Sequence, residues 1–235
     1  MVSSKKINDF YHKQDTPQNM EELLSFLMDI TERHVHGLRD NDIFENGQLV
    51  QSKSQERLEK IRRGPGELIA HCRYIAETTV VLLKNVGISA RSVEFIAYEQ
   101  KFPNIRHTVS EAVFNDQRIH LDTDVGILFV DRDYLSSLDV AESLHHRNLK
   151  PEHLRSLVVR KKINEEEYPY LREIIEDGQK LLKWYENMAV AMMIGTDFYT
   201  PNQNLGEAVR MNIIDSKKET AQLLSRADFM TKYYA

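Results

Sequence analysis

The stretch between residues 64 and 124 constrains the fold more than any other part of the chain, because signals for one helix and three strands follow each other there. From His71 to Lys84 the apolar residues recur at helical spacing. Gly87 suits the position just past a helix end, since glycine adopts the left-handed conformation at little cost. A strand is predicted from Ser89 onward. The sequence therefore predicts a helix that leads directly into a small sheet.

The dipeptide Asn115-Asp116 fixes how the second and third strands of this sheet pair. If it is a two-residue hairpin loop, Glu111 lies opposite His120, and we interpret these two residues as a cross-strand pair. The same register places His107 and Asp122 on one face as diagonal neighbours, with Cα atoms roughly 7–8 Å apart. An imidazole and a carboxylate can bridge that distance.

Cys72, His107 and Asp122 are the candidate catalytic residues. Thiol catalysis needs a nucleophile, a base that carries its proton and a group that orients the base. Cys72 lies at a predicted helix start, where free N–H groups favour a thiolate. A single cysteine on an apolar helix face is most often simply buried, so the hypothesis depends on all three residues together. The hairpin register also places Asp124 opposite His107, and Asp124 is therefore a competing partner.

The stretch resembles the transglutaminase-like superfamily, the circularly rearranged relatives of papain-type cysteine proteases. The matching residues are Cys72, Leu82-Leu83, Gly87-Ile88, Ala90-Arg91, His107, Glu111 and Asp122. The resemblance implies that Asp122 rather than Asp124 orients His107. It also implies an α+β fold in which a small antiparallel sheet packs on the nucleophile helix. The chain departs from the family pattern at Ala70-His71, Val109 and Thr123.

The resemblance implies thiol-dependent acyl transfer or amide hydrolysis. An acyl group would pass from an amide or ester to the Cys72 sulfur, and then to an amine or to water. The backbone N–H of Cys72 is the expected first oxyanion donor, with Gln51 or Gln55 as candidates for the second. Two alternatives stay open: a cytoplasmic cysteine protease or amidase, and a catalytically inactive binding module. No cofactor is expected.

Composition and charge restrict the classes of molecule that the protein is expected to bind. A net charge of −5 gives no sign of general nucleic-acid binding. No segment approaches the roughly 18–20 apolar residues of a membrane helix. One cysteine forms no internal disulfide, and the first residues have no apolar signal core, so a cytoplasmic location is expected. The histidines near residue 150 are not expected to bind metal; they are His145, His146 and His153. The predicted partner is a small-molecule or peptide acyl substrate.

The rest of the chain is predicted to be helical and to form one compact unit with the core. Residues 1–63 are an N-terminal helical segment, 64–135 the catalytic core and 136–235 a C-terminal helical extension. One helix is predicted from Thr16-Pro17 to about Leu38. A second, about 30 residues long and ending at Gly195, carries an apolar stripe that fits the core or a homodimer through 165–194. The extension is expected to pack on the core and narrow the groove, which favours a small substrate or a flexible chain end.

Overall fold

The computed structural model describes residues 15–36, 44–45, 48–49, 68–97, 106–161, 163, 169–217 and 220–235, and within them the protein is a mixed α+β fold. Its α-helices are α1 (Met20–Arg33), α2 (Cys72–Asn85), α3 (Ser137–His145), α4 (Pro169–Glu176), α5 (Gly178–Met188), α6 (Gly206–Lys217) and α7 (Arg226–Tyr233). Its strands are β1 (His34–His36), β2 (Phe44–Glu45), β3 (Gln48–Leu49), β4 (Leu68–Ala70), β5 (Ser89–Ile96), β6 (Arg106–Phe114), β7 (Gln117–Asp122), β8 (Ile127–Asp131), β9 (Asp133–Tyr134), β10 (Leu154–Ser156), β11 (Ala191–Ile194), β12 (Asp197–Tyr199) and β13 (Gln222–Leu223).

A nine-stranded sheet forms the centre of the described structure. Its strand order is β10-β8-β7-β6-β5-β11-β12-β13, with β9 paired to β8 at one side. All neighbours are antiparallel except β12 and β13. Helices cover both faces, and residues on opposite faces of β5, β6 and β8 are buried in two different apolar clusters. Residues of α1 and α2 pack on one face, and residues of α3, α5 and α7 pack on the other.

The predicted hairpin register between β6 and β7 is confirmed. Phe114 pairs with Gln117, and the pairing continues down the strands. The φ angles of Asn115 and Asp116 are 50° and 62°, so both residues adopt the left-handed conformation of a type I′ turn. Such a turn matches the twist of the strands it joins. The register that places His107 and Asp122 on one face is therefore set by two residues.

The predicted helix over residues 71–84 is confirmed as α2, with Cys72 as its first residue. Its end is a Schellman motif. Gly87, at a φ of 81°, donates its N–H to the carbonyl of Lys84 over 3.1 Å, and Ile88 donates to the carbonyl of Leu83 over 2.9 Å. These bonds satisfy carbonyls that the helix leaves without partners. The C-terminal end of the helix therefore follows from local sequence.

The predicted N-terminal helix is too long at both ends. Helix α1 begins after Asn19, whose side chain accepts the N–H of Glu22 over 3.0 Å, and not at Thr16-Pro17. It ends at Arg33, and the next three residues form β1, which pairs in parallel with β4. The C-terminal end of α1 is therefore set by the pairing of β1 with β4, a strand distant in sequence. Residues 37 and 38, residues 53–63, and Gln51 and Gln55 lie outside the described residues.

The predicted C-terminal helix of about 30 residues is wrong. At Asp177 the backbone leaves the helical conformation, with φ −112° and ψ 106°, and its side chain accepts the N–H groups of Gln179 and Lys180. This cap divides the segment into α4 and α5, because aspartate before Gly178 favours a helix start over a helix interior. Residues 191–194 then form β11, which pairs with β5. The segment after residue 136 therefore contributes strands to the sheet as well as helices.

The apolar stripe that the sequence assigned to one long helix is buried within the chain. Leu181, Leu182, Tyr185 and Met188 of α5 are at most 7% exposed. The first three belong to the apolar cluster that also contains Phe95 and Phe129 of the sheet. A homodimer through 165–194 stays a prediction, but these side chains already pack against the protein's own core.

Candidate functional site

Three elements bring Cys72, His107 and Asp122 together. The Nε2 atom of His107 lies 2.5 Å from Oδ2 of Asp122. The Cys72 sulfur, a ring nitrogen of His107 and a carboxylate oxygen of Asp124 all lie within 4.8 Å of one another. His107 and Asp122 are buried, whereas Cys72 is half-buried. The thiol is thus the more accessible member of the group, as a nucleophile must be.

Two polar contacts join the strands to α2, the helix that carries Cys72. The Ser110 hydroxyl of β6 donates to the carbonyl of Ala76 over 3.0 Å. The hydroxyls of Thr79 and Thr123 lie 2.7 Å apart and join α2 to the loop after β7. Both contacts are within two turns of Cys72. They therefore hold the histidine strand and the aspartate loop at a fixed distance from the thiol.

Asp122 accepts hydrogen bonds at both carboxylate oxygens. Oδ1 accepts the backbone N–H groups of Asp124 and Val125 over 3.1 and 3.0 Å. Oδ2 accepts from His107 and from the hydroxyl of Tyr185. Burial favours the protonated acid, but the charge and hydrogen bond of His107 outweigh it and hold the pKa of Asp122 below its ordinary value. Asp122 is therefore an ionised, fixed acceptor.

Opposing effects act on the pKa of His107. Burial by itself would lower its pKa, but the charge of Asp122 and the hydrogen bond to it, with a smaller contribution from Cys72, raise the pKa of His107 well above its ordinary value. Because Asp122 occupies Nε2, the other ring nitrogen is left for the thiol. An imidazolium there can stabilise a neighbouring thiolate.

Trp184 and Tyr185 are site residues that sequence reasoning missed. Both lie on α5, and the Trp184 ring meets the His107 ring edge-on, with centroids 4.8 Å apart. Tyr185 is fully buried and donates to Asp122. Tyr185 was visible in the sequence only as one member of an apolar stripe. The expectation that the C-terminal part packs against the core is confirmed by these contacts, and a narrowed groove stays a prediction.

Asp124 has a different partner from Asp122. Its two carboxylate oxygens each lie 2.8 Å from Nδ1 of His36, on the N-terminal strand β1. The structure thus brings Asp122 rather than Asp124 into hydrogen-bond contact with His107, as the resemblance implies. His36 falls within the predicted N-terminal helix, and no local signal indicates its contact with Asp124. The two residues are 88 positions apart in sequence.

Glu111 and His120 face each other in the sheet, but both bind Ser137, at the start of α3. Glu111 accepts from the Ser137 N–H over 2.8 Å, from Arg91 over 2.5 Å and from the Tyr234 hydroxyl over 2.9 Å. His120 Nδ1 lies 3.1 Å from the Ser137 hydroxyl. Burial lowers the pKa of His120 to about 4, so its ring is neutral at neutral pH. The two residues therefore connect the sheet to the start of α3.

The sequence-predicted oxyanion donor has a suitable position. As the first residue of α2, Cys72 carries one of the N–H groups that find no partner within their own helix. The candidates for a second donor, Gln51 and Gln55, lie outside the described residues. His145 and His146 are exposed on the surface, with ring centroids 5.0 Å apart.

No family model matches the chain, and no curated protein matches it. A solved structure described as "a Putative Cysteine Protease from Cytophaga hutchinsonii" is similar, with 18% sequence identity and a TM-score of 0.32. The likeness covers 51% of this chain and 36% of that protein. At this identity and score it establishes neither a shared fold nor a shared activity. Every helix in the described part of the chain is too short or too polar to cross a membrane.

Proposed function

We propose that the protein is a cysteine-dependent acyl hydrolase or acyltransferase of the transglutaminase-like, papain-like kind. Cys72 is the nucleophile, His107 the acid and base, and Asp122 the group that orients His107. One observation carries the proposal. His107 binds Asp122 through Nε2 at 2.5 Å, while the Cys72 sulfur lies within 4.8 Å of a ring nitrogen.

In the proposed first half-reaction, the Cys72 thiolate attacks the carbonyl carbon of an amide or ester. A carbon–sulfur bond forms, and the negative charge moves to the carbonyl oxygen near the N–H of Cys72. His107 gives its proton to the leaving amine or alkoxide as the old bond breaks, which leaves a thioester on Cys72. Asp122 stays ionised throughout and keeps the ring in place.

In the second half-reaction, water or an amine attacks the thioester. His107 takes the proton of the attacking group, and the carbon–sulfur bond breaks to restore the thiolate–imidazolium pair. Water gives a hydrolase and an amine gives a transferase. Trp184 covers one side of His107, which favours a small acyl donor or a flexible chain end over a folded protein surface.

An inactive binding module is the alternative from another class. Transferring two ionisable groups from water to the interior costs several kcal/mol per ion before their attraction is counted. A binding surface would have no use for such a pair beside a half-exposed thiol. The buried contact between His107 and Asp122 therefore favours the enzyme over the module.

The test is acylation by p-nitrophenyl acetate. Wild-type protein should release one nitrophenolate per chain in a burst and carry one acetyl group, and peptide mass mapping should place that group on Cys72. His107→Ala should lose the burst, whereas His145→Ala, which alters an exposed histidine, should keep it. Decay of the acetyl-enzyme with and without a primary amine then separates hydrolysis from transfer. Equal acylation of the wild type and His107→Ala would refute the proposal.

A further inference from the structure

The carboxylate of Asp124 lies beside the thiol without being the partner of His107. Its oxygen, the Cys72 sulfur and a ring nitrogen of His107 form a triangle with sides of no more than 4.8 Å. Zinc binds sulfur at about 2.3 Å, and nitrogen or oxygen at about 2.0–2.2 Å, in a tetrahedron, so its ligand atoms lie roughly 3.3–3.6 Å apart. The three atoms would need to approach one another by no more than roughly 1.2–1.5 Å.

Each of the two buried ligands is already oriented by a further residue. Asp122 holds His107 through Nε2, which leaves the other ring nitrogen for an ion. His36 holds Asp124 with Nδ1 at 2.8 Å from both of its oxygens. Metal-binding histidines and carboxylates in proteins almost always have such partners, which fix their direction and raise their basicity.

We propose that Cys72, His107 and Asp124 bind a zinc ion, and that zinc and an acyl substrate compete for Cys72. A thiolate, an imidazole and a carboxylate form a mixed donor set that suits Zn²⁺ better than Mg²⁺ or Ca²⁺, which prefer oxygen ligands. Three protein ligands leave the fourth tetrahedral position to water. On binding, the proton shared by Cys72 and His107 passes to solvent, and the two negative ligands balance the charge of the ion. The zinc site itself does not depend on the proposed function, whereas its competition with an acyl substrate rests on that function.

The test is a titration of metal-free protein with Zn²⁺ in competition with a chromophoric chelator. We expect one zinc per chain. Cys72→Ser should abolish binding at this stoichiometry, and Asp124→Asn should weaken it at least tenfold. His36→Gln, which alters a supporting contact, should weaken it by roughly 10- to 100-fold. The double variant His145→Ala/His146→Ala removes an exposed histidine pair and should bind zinc as the wild type does.

Two measurements on the wild type keep the test independent of variant folding. Co²⁺ should give the thiolate-to-cobalt charge-transfer band and the intense visible bands of a tetrahedral site. Zn²⁺, but not Mg²⁺, should protect Cys72 from iodoacetamide. Zinc binding that keeps its wild-type affinity in Cys72→Ser or Asp124→Asn, or that disappears in the surface double variant, would overturn the inference. Slow alkylation of the metal-free protein would argue against the proposed function and leave the zinc site standing.

Discussion

Asp122→Asn, compared with Asp124→Asn, tests which carboxylate supports the thiol. The two substitutions have the same shape and lie two positions apart, but the carboxylates contact different histidines. In Asp122→Asn the amide oxygen can replace Oδ1 and still accept the hydrogen bonds from the N–H groups of Asp124 and Val125. The amide nitrogen then replaces Oδ2, and it cannot accept a hydrogen bond from His107 or from Tyr185.

The expected loss follows from these contacts. A hydrogen bond to a charged group contributes roughly 1.5–3 kcal/mol, which corresponds to a rate factor of roughly ten- to a hundredfold. Without the charge of Asp122, burial lowers the pKa of His107, and the imidazolium that stabilises the thiolate is lost. We therefore expect Asp122→Asn to slow alkylation of Cys72 by that factor, and Asp124→Asn to have a clearly smaller effect.

The assay is the rate of iodoacetamide labelling of metal-free protein at pH 6, followed by mass spectrometry of the intact chain. At this pH an ordinary thiol is almost entirely protonated and reacts slowly, so fast labelling is the result that the proposed function requires. The chain has one cysteine, so each added group is on Cys72. Equal rates for the two variants, or slower labelling of Asp124→Asn, would refute the assignment of Asp122 as the orienting group.

Two further predictions concern stability. Tyr185→Phe removes the donor to buried Asp122 and should lower the free energy of unfolding, measured by urea titration, by roughly 1.5–3 kcal/mol. The control is Tyr199→Phe: the Tyr199 hydroxyl donates over 3.0 Å to the more exposed Glu142, so its loss should lower the free energy of unfolding by less. An equal loss in the two variants would contradict this reasoning. Burial lowers the pKa of His120 to about 4 in the folded protein, whereas an unfolded histidine has a pKa of about 6.5. Between about pH 6.5 and pH 4 the unfolded chain therefore binds more protons than the folded chain. The free energy of unfolding should fall as the pH drops through this range, by roughly 3 kcal/mol in total. His120→Gln should flatten this part of the urea-unfolding profile, and an unchanged slope would show that another group is responsible.

The local sequence determined the frame of the site. The left-handed residues Asn115 and Asp116 set the register of β6 and β7 through the turn alone. Gly87 set the end of α2, because it can adopt the φ of 81° that the Schellman motif needs. These features depend on backbone conformations and hydrogen bonds within a few residues. For that reason, the meeting of His107 and Asp122 could be predicted from the sequence.

The C-terminal segment shows where periodicity misleads. An apolar stripe at helical spacing is a signal for burial, and the stripe of α5 is indeed buried. The stripe does not show whether one helix continues through the whole segment. The cap at Asp177 interrupts the helix there. The run at residues 191–194 is a strand because β5 offers it a partner. Competition between a local helix and a distant strand is settled only when both are in place.

What the sequence by itself determined is the order and local geometry of the thiol helix, the histidine strand and the aspartate strand. Only the tertiary structure decided what surrounds them. It placed Trp184 against His107, Tyr185 on Asp122 and His36 on Asp124. These contacts join residues far apart along the chain. Their side chains find their partners through the packing of whole elements, for which the sequence contains no short-range signal.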